Sequence, residues 1–181
     1  MAVDEIRNDL TELHISVDMK YQGFEINNFL GDIFKLSAPN SSLAHCVSRD
    51  FKMSKGFAEK FKKKFGRLEE LRRAKARIGE TVVLKEGRKY LYYLVTKQKY
   101  FDKPTNCTLK QALIQMKNHA VKNNVTEISM PRIGCGRDNL NWDEVRQIIT
   151  HVFSETRIRI SVYQLNTPGK RFYCLFDHES E

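Results

Sequence analysis

The sequence predicts a layered α/β domain with a mixed central sheet, and three observations carry that expectation. Strand-like and helix-like hydrophobic patterns alternate along the chain, which joins parallel strands through helices. Two of the strands are separated only by Lys85-Glu86-Gly87-Arg88, a link short enough for an antiparallel hairpin, so the sheet is not wholly parallel. The chain has 181 residues, 41% of them hydrophobic, which suits one domain with a sizeable core.

The elements follow in order. Residues 1 to 20 are weakly patterned and read as a loosely attached leader, with the domain running from 21 to 165. Gln22 to Ile26 (QGFEI) is expected to open the sheet, and Gly31-Asp32-Ile33-Phe34 turns into a short apolar stretch. Ser42 to Ser48 (SLAHCVS) reads as a buried strand. Phe57, Phe61 and Phe65 recur at four-residue spacing and make one face of a helix from Gly56 to Phe65. Gly66 stops it, and a second helix runs to about Ala76. After a turn at Gly79, Thr81–Leu84 and Lys89–Thr96 form the hairpin. Thr108-Leu109-Lys110-Gln111 has capping-box spacing and starts a long helix to about Lys122. Val125 to Met130 is a strand, and a helix opens at Asn141, with Glu144 three residues on, and continues to Phe153. Arg157 to Leu165 (RIRISVYQL) alternates as the last strand. The tail from 166 to 181 carries Phe172, Tyr173, Leu175 and Phe176, too apolar for a free linker, and is expected to pack on the domain.

Composition narrows the function classes. No apolar run approaches the roughly 20 residues of a membrane span, and the acidic start Met1-Ala2-Val3-Asp4-Glu5 suits neither a secretory signal nor a mitochondrial one. Cys46, Cys107, Cys135 and Cys174 lie far apart, with no CxxC pair and no His at ligand spacing. They read as reduced intracellular thiols, with no zinc or other metal. Net charge is +9, much of it between Lys52 and Arg77. Such a surface favours anionic partners, although a run of this kind commonly makes only a solvated helix face.

The chemistry gathers in Met130-Pro131-Arg132-Ile133-Gly134-Cys135-Gly136-Arg137-Asp138, a loop set between a buried strand and a helix. Glycines allow close approach to backbone N–H groups, and a following helix N-terminus favours an anion. The loop therefore suits phosphate or pyrophosphate, or it is an ordinary tight turn. Asp138 is either a helix-entry cap or a group that reaches a sugar hydroxyl or a reacting carbon. Arg132 is placed to pair with Asp138 or to meet phosphate. Lys97 falls at the carboxyl end of a strand, where most lysines are simply solvated. His45 reads as a hydrogen-bonded core residue, Trp142 as packing for the start of its helix, and Cys135 as a small residue chosen for room rather than a reactive thiol.

Taken together, these stretches resemble the macrodomain family of ADP-ribose-binding modules, and more narrowly its terminal ADP-ribose protein glycohydrolase branch. The resemblance rests on Gly31-Asp32-Ile33-Phe34, Ser42 to Ser48, Phe61-Lys62-Lys63-Lys64-Phe65-Gly66, Tyr92-Tyr93-Leu94-Val95-Thr96-Lys97, Met130 to Gly136, Asp138, and Val162-Tyr163-Gln164-Leu165. It implies a macrodomain-like three-layer fold and an ADP-ribosyl hydrolase acting without a cofactor. In that branch the lysine matching Lys97 attacks the anomeric carbon of the distal ribose, and the aspartate matching Asp138 is the acid/base that resolves the lysyl–ADP-ribose adduct. Arg132, Ile133, Gly134, Cys135, Gly136 and Arg137 would hold the diphosphate and distal ribose together with Gly56. Asp32 and Ile33 would lie at the adenine end, Ser48 near the ligand, and Leu165 beside the base. The implied substrates are Glu- or Asp-linked mono-ADP-ribose on proteins, O-acetyl-ADP-ribose, and in some members ADP-ribosylated DNA. A monomer in nucleus and cytoplasm, engaged in reversing ADP-ribosylation during the DNA damage response, is the corresponding expectation. Poly(ADP-ribose) or DNA is a further partner through the basic surface, and a membrane is not.

A lysine of ordinary pKa, about 10.4, is neutral only about once in a few thousand molecules at pH 7. The implied chemistry therefore asks for a depressed Lys97 pKa, through desolvation or a nearby cation such as Lys99. One stretch departs from the family pattern. Where a Gly-Ala-Gly-like run follows a methionine in this branch, the chain has Met53-Ser54-Lys55-Gly56. Two Cβ atoms stand where a diphosphate oxygen meets bare backbone, which predicts weaker ADP-ribose binding unless Lys55 compensates. A non-catalytic ADP-ribose reader is thus the first rival to a hydrolase, and a basic nucleic-acid-binding module, with salt-dependent binding, is the second.

Overall fold

A computed structural model describes Phe24 and residues 26–165. The leader, the tail, Cys174 and most of the QGFEI stretch lie outside the described residues. The elements are β1 (Ile26–Leu30), α1 (Ile33–Leu36), β2 (Ser42–Ser48), α2 (Gly56–Phe65), α3 (Leu68–Arg73), β3 (Thr81–Glu86), β4 (Lys89–Lys97), α4 (Asn106–Lys122), β5 (Glu127–Pro131), α5 (Trp142–Phe153) and β6 (Arg159–Gln164). The first described strand spans Ile26–Leu30, and α3 ends at Arg73 rather than near Ala76.

The six strands run in the order β1-β6-β5-β2-β4-β3. All neighbours are parallel except β3 and β4, which form the expected antiparallel pair. Two cores lie on opposite faces of this sheet. One packs Leu109, Leu113 and Met116 of α4 and Val145, Ile149 and Phe153 of α5 against Ala44, Tyr92, Leu94 and Ile160. The other packs Phe61 and Leu71 against Leu43, Val47, Leu91, Tyr93 and Val95. Leu113 and Phe61 are both fully buried. Helices on both faces of a mixed sheet make a three-layer α/β fold, as predicted.

Caps explain where the helices begin. The α4 cap is Thr105 rather than Thr108: its hydroxyl accepts from Thr108 N, while the Thr108 hydroxyl accepts from Thr105 N. The box is real but lies one turn earlier than the expected signal, because Thr108 is its N3 member. Asn141 caps α5, accepting from the N–H groups of Asp143 and Glu144.

The topology places the site. From β2 the chain continues to one side of the sheet, through β3 and β4, and from β5 it continues to the other, through β6. The order therefore reverses between β2 and β5, and ligands in such sheets bind outside the carboxyl ends at that point. These two strands pair only at Ser42↔Ile128 and Leu43↔Ser129. Beyond there they part towards their carboxyl ends, and the loops after Ser48 and Pro131 face each other across the gap.

Candidate active site

Two adjoining cavities fill this gap, one of about 320 Å³ and one of about 450 Å³. Phe57, Pro131, Arg132 and Gly136 line both, so together they form one elongated cleft.

At one end lie Lys97 and Asp138. Lys97 is the last residue of β4, and its Nζ donates to Asp138 Oδ1 at 2.5 Å. Both side chains are largely buried, 11% and 13% exposed. Asp138 is therefore neither a helix cap nor the partner of Arg132, because its carboxylate is turned inward to Lys97. Two residues 41 apart in sequence meet because β4 and the loop after β5 end at the same edge of the sheet. The charge beside Lys97 is thus a carboxylate rather than the cation expected from Lys99. Lys99 lies exposed in the following turn, and its charge acts on Asp50.

The rest of the predicted loop divides along the cleft. Ile133, Gly134, Arg137 and Asp138 line the Lys97 end, Cys135 lines the other, and Arg132 and Gly136 sit at the join. Gly134 has φ +72°, and a Cβ there would come within 2.8 Å of Leu140 Cδ1, so the turn requires glycine. Gly136 has open space around it, leaving backbone accessible to a ligand. The Arg132 guanidinium lies 5.2 Å from the Trp142 ring centroid, which holds it over the indole. Trp142 therefore positions an arginine as well as packing its helix. Burial pushes the Cys135 thiol up to about 11, and it donates to Ile133 O. Cys46 is likewise pushed up by burial. Both thiols stay protonated near neutral pH, so Cys135 is a space-filling residue, as its sequence setting suggested.

The opposite wall is the loop after β2. Phe51 and Met53 adopt positive φ, 46° and 40°, and both are plugged into the core at 2% and 4% exposure. Such a backbone is uncommon for bulky residues and persists here because burial over-determines it. It delivers Ser54, Lys55 and Gly56 to the cleft. Lys55 precedes α2 without capping it by a side-chain hydrogen bond, so the first N–H groups of the ten-residue helix remain available at the cleft wall. That end suits an anion. Gly56 has φ +65° and nothing within 4 Å of a Cβ, so glycine serves conformation there rather than space. Ser48 is buried against the cleft, but its hydroxyl donates to Asp50 Oδ1 at 2.6 Å.

Asp32, Ile33, Gln164 and half-exposed Leu165 line the far cavity. The Asp32 carboxylate accepts from Phe34 N at 3.0 Å through Oδ1, and among the described residues its other oxygen has no hydrogen-bond donor. Sequence reasoning missed Phe57, which stacks on Phe34 at 5.3 Å between the two cavities, and Tyr100, which lines the Lys97 end. Phe57 follows the loop glycine directly, but helical spacing alone marked it as core.

His45 belongs to the core, facing Phe57, Phe61 and Tyr93 rings at 5.6, 4.1 and 5.1 Å. It is not hydrogen-bonded as expected. Among the described residues neither ring nitrogen has a partner, and burial lowers its pKa to about 3.

Part of the basic run around α2 and α3 is closed on nearby acids, while Lys60, Lys62, Lys64 and Arg73 form no ion pair among the described residues. Lys63 pairs with Glu59, Arg67 with Glu70 and Glu86, Arg72 with Glu69, and Arg77 with Glu80. That is the pattern of a solvated helix face.

Comparison with known proteins gives the family. The Macro domain family pattern matches residues 38–149. The chain is 47% identical over 144 residues to ADP-ribose glycohydrolase OARD1 of Bos taurus, covering 80% of this chain and 94% of that protein. It is 46% identical to the protein of the same name from Homo sapiens, with the same coverage. Among solved structures, the macrodomain of Thermus aquaticus DarG superposes with a TM-score of 0.70 at 24% identity, over 78% of this chain and 99% of that one. The alternating elements, the hairpin and the loop from Arg132 to Asp138 thus have one origin: the chain belongs to the Macro domain family.

Proposed function

We propose that the protein is an ADP-ribose glycohydrolase that removes mono-ADP-ribose from carboxylate esters on proteins, with Lys97 as nucleophile and Asp138 as acid/base. The observation that carries this reading is the Lys97–Asp138 contact at one end of an elongated, anion-friendly cleft. The OARD1 proteins, to which the chain is 47% and 46% identical, are named ADP-ribose glycohydrolases.

The balance of the reaction follows from the contact. Asp138 takes the Nζ proton, and the freed amine forms a bond to the anomeric carbon of the distal ribose as the carboxylate ester bond breaks. Asp138 gives that proton to the departing carboxylate; water then passes a proton to Asp138 as it attacks the anomeric carbon, and Asp138 hands it to the Lys97 amine, which leaves as ammonium. O-acetyl-ADP-ribose presents the same ester to the same two groups. An ADP-ribosylated nucleic-acid base would require a different leaving group in the same place. Diphosphate would lie at the join of the cavities, between Arg132 and the first turn of α2, with adenine towards Asp32, Ile33 and Leu165.

The test is release of ADP-ribose from a glutamate-linked mono-ADP-ribosylated protein. Wild type is expected to release it, and Lys97→Ala and Asp138→Ala are not. Binding without release by wild type would make the protein a reader instead.

Ser54 and Lys55, which line the cleft, give a second measurement. The Ser54→Gly, Lys55→Ala double variant is expected to bind ADP-ribose several-fold more tightly in calorimetry, by removing two Cβ atoms from the anion-facing loop. Weaker binding would show that Lys55 holds phosphate and more than offsets the crowding.

A further inference from the structure

We propose that the cleft mouth beside Lys97 is a docking surface for the leaving group, and that the leaving group it takes is an acidic protein segment around the modified residue. The inference rests on the glycohydrolase reading, which puts the scissile bond at the Lys97 end. Whatever carries the ADP-ribose must then pass Tyr100, which lines that cavity.

The surface is built from the turn between β4 and α4. Tyr100 is 45% exposed and Phe101 67%, with their rings edge-on at 5.2 Å. Single exposed apolar residues are ordinary, but an aromatic pair at a cleft mouth is a candidate contact site. This pair is held in place from three sides. Tyr100 N donates to Asp50 Oδ2, Lys99 N to Asp102 Oδ2, and Lys103 Nζ to Arg137 O, the last tying the turn to the glycine loop.

Charge selects the partner. Lys52, Lys55, Lys99 and Arg137 are exposed around the pair, and none closes an ion pair with an acid among the described residues. The two nearby acids, Asp50 and Asp102, are occupied by backbone N–H groups and by Ser48. Four cations against these two carboxylates leave a net positive charge at the mouth.

A single-stranded nucleic acid is the other anionic macromolecule to consider. It binds by stacking successive bases on open ring faces. Here Lys52 Nζ lies 3.8 Å from the Tyr100 centroid and covers one face of that ring, and the edge-on contact leaves Phe101 as a lone platform. A peptide fits better, with carboxylates meeting the cations and one apolar side chain packing on Phe101.

The experiment compares three substrates: a glutamate-linked ADP-ribosyl peptide with acidic flanks, the same linkage with Gly/Ser flanks, and O-acetyl-ADP-ribose. Wild type is expected to favour the acidic peptide by about tenfold in kcat/KM at low salt, and less at high salt. The Lys52→Glu, Phe101→Ser variant is expected to lose that preference while hydrolysing O-acetyl-ADP-ribose at the wild-type rate. Equal wild-type rates on the two peptides would overturn the proposal. So would a preference the variant keeps, or binding of a single-stranded oligonucleotide, but not of the unmodified acidic peptide, that the variant abolishes. If no substrate is hydrolysed, the glycohydrolase reading falls. Binding of the unmodified acidic peptide, by fluorescence anisotropy, then decides the docking surface by itself.

Discussion

Asp138→Asn is expected to accumulate a covalent ADP-ribosyl adduct on Lys97, visible as a shift in intact mass, while its steady-state turnover falls by roughly 10²- to 10⁴-fold. The reason lies in the Lys97–Asp138 contact. In wild type the carboxylate 2.5 Å from Nζ stabilises the ammonium and is also the nearest acceptor for its proton. Removing the negative charge weakens the hold on the ammonium, so the first bond can still form as solvent takes the proton. The second step loses the group that activates water, and the adduct persists. Lys97→Met should form no adduct and lose turnover by roughly 10⁴- to 10⁶-fold. Equal residual rates in the two variants, with no mass shift in Asp138→Asn, would remove the covalent mechanism and leave Asp138 as a positioning group. The pairing also separates two kinds of failure. Lys97→Met leaves a carboxylate in a largely closed site and should lower stability as well as activity. A urea titration beside the assay tells the effects apart.

The features that the sequence conveyed and those it hid differ in physical kind. Helix faces and strands were legible because burial imposes a period: Phe61 and Phe65, or SLAHCVS, are marked by the core they enter. The glycine loop was legible because the turn at Gly134 tolerates no Cβ without displacing Leu140. Element ends were less so, since a cap is one hydrogen bond whose donor and acceptor compete with neighbours. Thr105 and Thr108 satisfy each other, and spacing alone pointed to the wrong one. The meeting of Lys97 with Asp138 has no local signature. It depends on β4 and the loop after β5 ending at the same sheet edge, a property of strand order rather than of either segment, and the resemblance supplied what spacing did not. Tyr100 and Phe57 were missed for a related reason, because an aromatic at a cleft and one in a core look alike in sequence. His45 was assigned to the core correctly but given hydrogen bonds it lacks, since an apolar strand says where a residue goes and not what its polar atoms meet.

That histidine carries the largest expected effect on stability. The residue is 1% exposed, its ring is surrounded by Phe57, Phe61 and Tyr93, and among the described residues it has no acceptor for a second proton. Burial therefore holds it neutral, with a pKa lowered from 6.5 to about 3. In the unfolded chain the same group takes a proton below about pH 6.5. Between those values the unfolded state binds more protons than the folded one, so stability rises with pH through the window and is lost as pH falls. His45 alone should contribute a slope of up to about 1.4 kcal/mol per pH unit. Wild type is thus expected to lose about 2–3 kcal/mol more than His45→Phe between pH 7.5 and 4.5, read from urea midpoints at each pH. The phenylalanine variant carries its own packing cost at every pH, so the comparison is of slopes rather than of absolute stabilities. Parallel curves would show that His45 finds a partner in solution and is not held neutral. The neutral ring also bears on the site, because His45 backs the cleft wall where α2 begins. Charging it in the acid range would unfold the wall that presents Ser54, Lys55 and Gly56 before it could strengthen anion binding. ADP-ribose affinity should therefore fall with the fold below about pH 5, rather than rise as it would if a cationic histidine faced the diphosphate.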